Sequence, residues 1–364
     1  MFSRSGVRSF RSTTLVQIET DDGFTGFGSC SGNGALIETI IANVLKPLVI
    51  GMDPTNRDEI WEKAYFRGGA KEFGTRGVGV VALSGIDIAL WDILGKASGV
   101  PIYQLLGGKC RDKVAVYATA LYPEEPANVA KKARAFAGQG FHGVKIKVGF
   151  DLAQDIAIVR AVRQELGKDF MIMTDANLGY TLDVALKAAG AFSECGVFWL
   201  EEPLFIEDVE GHAALREKGG VPIAVGENLH TCAAFREFVI RGAVDFLQPD
   251  VARVGGISEI RQVARLAADH KLALSLHTWG DGVALAASLH CSAALKECGV
   301  MELDYTYNPL RAELLGEPLE VKNGFLIPPD QPGLGVGLDP KALQKFAFHG
   351  VEEISLRQET LRLS

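Results

Sequence analysis

GVKIKVG (143–149), FMIMTDAN (170–177) and VFWLEEP (197–203) decide the fold, because each is a short apolar run that ends on charged or polar residues. The same design recurs in VPIAVGEN (221–228), VDFLQPD (244–250), LALSLHTW (272–279) and VMELD (300–304), with VAVYAT (114–119) ahead of them all. Runs this short and rich in β-branched residues suit strands buried on both faces. Between them lie stretches such as DLAQDIAIVRAVRQELG and GISEIRQVARLAADH, whose apolar residues recur at three and four, as on one helix face. Strands alternating with helices pair in parallel through crossover helices. Seven polar residues at the run ends, Lys147, Asp175, Glu201, Glu227, Asp250, His277 and Glu302, succeed one another at intervals of 23 to 28 residues. One strand–helix unit has this length. Eight such strands close a barrel with its active site at the C-terminal strand ends. The pattern predicts an α/β fold, a (β/α)8-type barrel over residues 109–310.

The flanks read differently. TTLVQIETDDGFTGFGSC (13–30) alternates apolar residues around a D-D-G turn and predicts a hairpin. ALIETIIANVLKPLVIG (35–51) and VGVVALSGIDIALWDILGKASG (78–99) predict helices, the second ending at Gly95 or Gly99 near Pro101. Hairpin before helices suggests an α+β capping domain over 1–108. The tail, 311–364, mixes turns (VKNG, IPPDQPG) with a final helix that starts at Asp339-Pro340, and is expected to pack back on the cap.

The 364 residues carry a net charge of −8, so no basic excess exists to neutralise nucleic-acid phosphates. Six scattered cysteines without a CxxC pair suit free thiols in a reducing compartment. MFSRSGVRSFRST has no apolar leader core and no long uncharged apolar run follows, so a cytoplasmic protein without membrane contact is expected.

Lys145 and Lys147 are two apart on one strand and share a face. A lone K-x-K is usually a solvated strand face. Inside a barrel, two lysines are costly unless anions meet them, and each lowers the pKa of the other, as a neutral lysine base requires. Asp175, Glu201 and Glu227 end three consecutive strands. Any one could be an exposed loop carboxylate, but three converging would repel each other, and a hard oxygen-seeking cation such as Mg²⁺ resolves the conflict. Mn²⁺ satisfies the same donors. Asp250 and His277 end the sixth and seventh strands, where a carboxylate beside an imidazole fixes its tautomer and raises its basicity. Glu302, on the eighth, is expected to hydrogen-bond the substrate, although Asp304 shares its face. GLGVG (333–337) does not sit between a strand and a helix as a dinucleotide site would. VGGIS (254–258) could offer backbone amides to an anion at a helix start, but is read as a turn.

Taken in order, VKIKVG, TDAN, LEEP, GEN, QPD…VGG and HTWG resemble the mandelate racemase branch of the enolase superfamily across nearly the whole chain. The resemblance implies Lys147 as the base on one substrate face, with Lys145 modulating it, and His277 oriented by Asp250 on the other. It also implies Asp175, Glu201 and Glu227 as Mg²⁺ ligands, Asn177 of TDAN as a substrate contact, and a homo-oligomer. The muconate-lactonizing branch would place a lysine on the far side, where PDVARVGG has Arg253 instead. ALSGIDIALWDI, HTWGDGVALAASLH and ELDYTYNPLR are similar to acid-sugar dehydratases and lactone cycloisomerases. The resemblance also implies a further strand and a loop over the barrel mouth at the start of the fold, and FSRSGVRSF is expected to fall within that loop. The expected chemistry is removal of the proton α to a carboxylate of a small-molecule substrate, followed by β-elimination. Two-base racemisation or epimerisation is the alternative. A Schiff-base aldolase would use a barrel lysine but not three metal carboxylates. A non-catalytic metal-binding barrel would not need bases on both faces.

Overall fold

The computed structural model describes residues 2–3, 6–7 and 11–347. Eight parallel strands form the barrel: β1 (Val114–Leu121), β2 (Gly143–Lys147), β3 (Met171–Asp175), β4 (Trp199–Glu201), β5 (Ile223–Val225), β6 (Phe246–Leu247), β7 (Ala273–Leu274) and β8 (Met301–Asp304). From β1 to β7 each pairs with the next, and β8 pairs with β1, Met301 opposite Val116 and Asp304 opposite Thr119. Between β7 and β8 the closure is thinner, resting on the Leu274–Cys298 bridge and the Gly299 N–H donating to the Leu274 carbonyl. β6 and β7 are shorter than their apolar runs suggest. Pro249 has no N–H to donate, and beyond Leu247 the two chains touch again only where Asp250 bridges His277.

Alternate residues point inward, and the first inward layer is an apolar plug. Tyr117, Met173, Trp199 and Ala224 are buried together, with Met171, Phe246 and Val300 packed against them. The Trp199 and Phe246 rings lie 5.0 Å apart and those of Tyr117 and Trp199 5.6 Å. Each large side chain so withdrawn from water contributes roughly 1.5–3 kcal/mol. One inward step toward the C-terminal end, Met173 gives way to Asp175, Trp199 to Glu201 and Val300 to Glu302. The polar site is therefore floored by a dry layer. A separate, larger core fills the space between the strands and the surrounding helices.

The predicted hairpin forms from Thr14–Glu19 and Thr25–Cys30, antiparallel. It lies on the helix Val78–Ser98, where a Cβ at Gly28 would stand 1.8 Å from the Gly85 carbonyl oxygen, so only glycine permits the contact. That helix ends at Gly99 in the left-handed conformation. It is long and apolar enough to cross a membrane, but 89% of its most apolar window is buried inside the fold. Gly95 lies inside it and meets Gly333 instead, and the Leu334 N–H donates to Asp92, so the GLGVG segment clasps the helix. Phe325–Leu326 joins the base of the barrel, antiparallel to β1. Asp339 caps the helix Pro340–Phe346.

The hairpin layer also grips the barrel mouth. Asp281 caps the helix Gly282–Ala294 and accepts bonds from Ser29 Oγ at 2.5 Å and from Thr13. Arg11 pairs with Asp304 at 2.8 Å and lies over the Trp279 ring. Apart from the short pairing of Phe2–Ser3 with Gly6–Val7, the rest of FSRSGVRSF lies outside the described residues. None of the six cysteines is paired.

Candidate active site

The seven strand-end residues converge above the plug. Asp175, Glu201 and Glu227 bring one carboxylate oxygen each within 4.8 Å of one another. Lys145, fully buried, reaches Glu201 at 2.9 Å, Glu302 at 2.7 Å and Asp175 at 3.5 Å. Lys147 pairs with Asp175 and donates to Asn177 Oδ1 at 2.9 Å. Asn177 in turn donates to Glu227 at 2.9 Å, so its side chain bridges Lys147 and the third carboxylate, while its backbone N–H donates to Asp175 at 2.9 Å. On the opposite flank His277 Nδ1 bonds Asp250 at 2.6 Å, and its Nε2 lies 3.1 Å from Glu227 and 3.6 Å from Glu302. Lys147 and His277 thus touch opposite ends of one carboxylate row.

Electrostatics follow from that crowding. Burial pushes Glu201 up to about 7, and the Asp175 charge adds to the effect. Burial also works against ionised Asp175 and Glu227, but the lysines hold Asp175 below the usual range, and His277, Lys147 and Arg253 hold Glu227 well below it. Burial and Lys145 both lower Lys147, yet Asp175, Glu227 and Glu201 outweigh them and its pKa is raised. Lys145 is raised well above its ordinary value because, against the burial penalty, Glu201 and Glu302 face it directly. His277 is raised likewise, by Glu302, Glu227 and Asp250 against burial. Without another cation, the three bases are themselves the counter-charges of the carboxylates.

That arrangement fits a divalent cation. The donors are all carboxylate oxygens, converging, with Asp175 and Glu201 buried and Glu227 partly so, which is the chemistry of a hard ion. A dication facing them would offset the carboxylate charge and so lower the pKa of Lys147 toward that of a usable base.

Glu302 lies on β8, as expected. Its carboxylate joins Lys145 and approaches His277, and it accepts the Thr278 N–H at 3.3 Å, so it links the two base systems from beneath. Asn177 likewise sits between a base and a carboxylate. Several participants were not singled out from sequence. Gln248 donates to Glu201 at 2.9 Å, and its place two residues before Asp250 on the same strand face could have signalled it. Glu202, buried and pushed up to about 8 by burial and the neighbouring carboxylates, accepts from Asn228 Nδ2 at 2.6 Å. Asn228 then holds Arg253 at 2.9 Å, and Arg253 reaches Glu227 at 3.5 Å. Consecutive acids in LEEP gave no hint that the second would turn away from the first; Glu202 has φ +36°.

Residues 128–342 match the enolase C-terminal domain-like family, and residues 3–107 match the mandelate racemase / muconate lactonizing enzyme N-terminal domain. The chain is 39% identical to D-galactarolactone cycloisomerase of Agrobacterium fabrum over 348 residues, covering 92% of this chain and 91% of that one. It is 36% identical to arabinonate dehydratase of Saccharolobus solfataricus, covering 88% and 86%. The crystal structure of a racemase from Streptomyces coelicolor with bound magnesium superposes with a TM-score of 0.84 at 33% identity, covering 92% of this chain and 91% of that one.

Proposed function

The chain belongs to the mandelate racemase / muconate lactonizing enzyme family of the enolase superfamily and is an enzyme of that superfamily; from that premise we propose that it removes the proton α to the carboxylate of an acid sugar, with Mg²⁺ held by Asp175, Glu201 and Glu227. The observation that carries this reading is the placement of Lys147 and His277 at opposite ends of one carboxylate row. Bound there, Mg²⁺ would supply fixed positive charge to the oxyanion that develops as the α-proton leaves. Lys147, as the neutral amine, takes the proton on one face, with Nζ positioned by the side-chain oxygen of Asn177. His277, with Nδ1 fixed by Asp250, presents Nε2 to the other face and gives a proton to the departing β-oxygen. Glu302 balances Lys145 beneath the reacting centre, and the plug below keeps water from entering through the barrel.

Elimination or lactone cycloisomerisation is favoured because the relatives named above are a lactone cycloisomerase and a sugar-acid dehydratase. Racemisation or epimerisation is the second reading, and the same two-flank placement of bases supports it. A panel of aldarates, aldonates and their lactones, assayed with Mg²⁺ and again after EDTA, tests the proposal. Turnover in the rigorously metal-free protein would sink the enolate mechanism. The absence of turnover and of α-proton exchange across the panel would favour a non-catalytic metal-binding barrel.

A further inference from the structure

The helix Val78–Ser98 sets a buried carboxylate against the segment that follows Asp250, far along the chain from its own position. Asp87, 1% exposed, accepts the Ser258 N–H at 2.9 Å and Ser258 Oγ at 2.5 Å, at the start of the helix Ile257–His270. Ser258 Oγ accepts in turn from Trp91 Nε1 at 3.0 Å. Gly256, with φ +87°, lets the chain pass so close that a Cβ there would lie 2.2 Å from the Asp87 carboxylate. Next to it, Gly255 donates its N–H to Ser84 Oγ at 2.8 Å and accepts Trp61 Nε1 at 3.1 Å. Four side chains of the capping layer therefore hold residues 255–258. The turn they hold begins at Asp250: the Val254 N–H donates to the Asp250 carbonyl at 2.9 Å, and the Ala252 N–H to its carboxylate at 2.8 Å. The Ser31 N–H, from the hairpin, takes the Ala252 carbonyl at 3.2 Å. VGGIS thus does offer an amide to an anion, and the anion is internal.

We propose that Asp87 is a positioning residue for the Asp250–His277 pair, fixing through the 255–258 segment the turn from which Asp250 orients the imidazole. It touches no reacting atom. The proposal rests on the reading of His277 as a base. A fixed tautomer and ring direction require a fixed carboxylate, and Asp250 sits on a turn rather than within a strand ladder. A carboxylate bonded twice to one serine at a helix start, where the partial positive charge lies, is a firm anchor for that turn. Asp92, one helical turn and a residue further on, anchors other parts: it accepts the Phe27 and Leu334 N–H groups and pairs with Lys96 at 2.7 Å. It touches nothing in 250–258 and serves as the control.

The test is NMR of the full chain labelled at histidine Cε1, in saturating Mg²⁺ at one fixed pH. The chain has seven histidines, and His277→Asn identifies the signal of interest. Asp250→Asn sets the displacement that follows loss of the orienting carboxylate. Asp87→Asn should displace the His277 signal in the same direction and by most of that amount, while Asp92→Asn should leave it in place. Ser258→Ala, which keeps the carboxylate and the backbone bond, should give a smaller displacement of the same sign, and it stands as the test if Asp87→Asn does not fold. A His277 signal unmoved in these variants, or moved equally by Asp92→Asn, overturns the proposal. The readout needs no substrate, so a displaced His277 in a protein without α-proton exchange would sustain the positioning role while removing the proposed function.

Discussion

Lys145 Nζ lies 2.7 Å from Glu302 Oε1, and both side chains are enclosed by protein. The second and eighth strands meet through this pair across the mouth of β1. Its two ends are unequal. Lys145 also holds Glu201 and approaches Asp175, whereas Lys145 is the one lysine paired with Glu302 among the described residues. Lys145→Met strands several buried carboxylates and should cost about 3–5 kcal/mol. Glu302→Gln leaves Lys145 with two anions and should cost clearly less. Urea denaturation in EDTA measures both, and equal losses would contradict the asymmetry.

Divalent cation should stabilise the fold, because the carboxylate row lies assembled in the folded chain alone. At 100-fold excess over Kd, binding to the native state adds about 2.7 kcal/mol. Thermal melts with and without Mg²⁺ should therefore separate for the wild type. Glu201→Gln and Glu227→Gln should lose most of the separation. A shift retained in both variants would place the ion elsewhere.

Lys147→Ala and His277→Asn should each lower kcat by about 10²–10⁴, the usual contribution of a positioned acid or base. Run in ²H₂O, each should abolish α-proton exchange from one face and leave the other measurable. Asp250→Asn should resemble His277→Asn rather than Lys147→Ala, since Asp250 bonds the imidazole at 2.6 Å. Wild-type kcat in either base variant would make that residue structural.

Glu259 offers a pH test away from the carboxylate row. Burial pushes it up to about 7 from an ordinary value near 4.5; the Cys232 N–H opposes the shift and Asp87 adds to it. Between those two values the folded chain holds more protons at this site than the unfolded chain. Its contribution to stability therefore falls as pH rises from about 4.5 to about 7, by about 3 kcal/mol, and is level above. Glu259→Gln should remove this decline. The difference in unfolding free energy between wild type and variant, followed by urea melts across that range, should slope downward with pH. A flat or rising difference would show that the group is not raised.

The sequence alone determined which residues face inward and in what order they meet. Apolar runs of strand length, separated by helical periods, specify parallel strands, and a period of two puts Lys145 with Lys147 and Glu302 with Asp304 whatever else happens. The helix end near Gly99 was equally legible, because a left-handed cap favours glycine, whereas Gly28 is demanded by the close approach of Gly85. Tertiary structure decided what depends on distance between strands far apart in the chain. Lys145 looked like a cation that would lower its neighbour, yet barrel closure surrounds both lysines with more carboxylate charge than they carry, and the net effect reverses. The fold sets Glu302 between Lys145 and His277 and Asn177 between Lys147 and Glu227, partners that side-chain reach rather than residue type settles. VGGIS read as a turn because the carboxylate that meets its amide, Asp87, lies about 170 residues earlier. Periodicity encodes faces; only packing brings one face against another and sets the balance of charge between them.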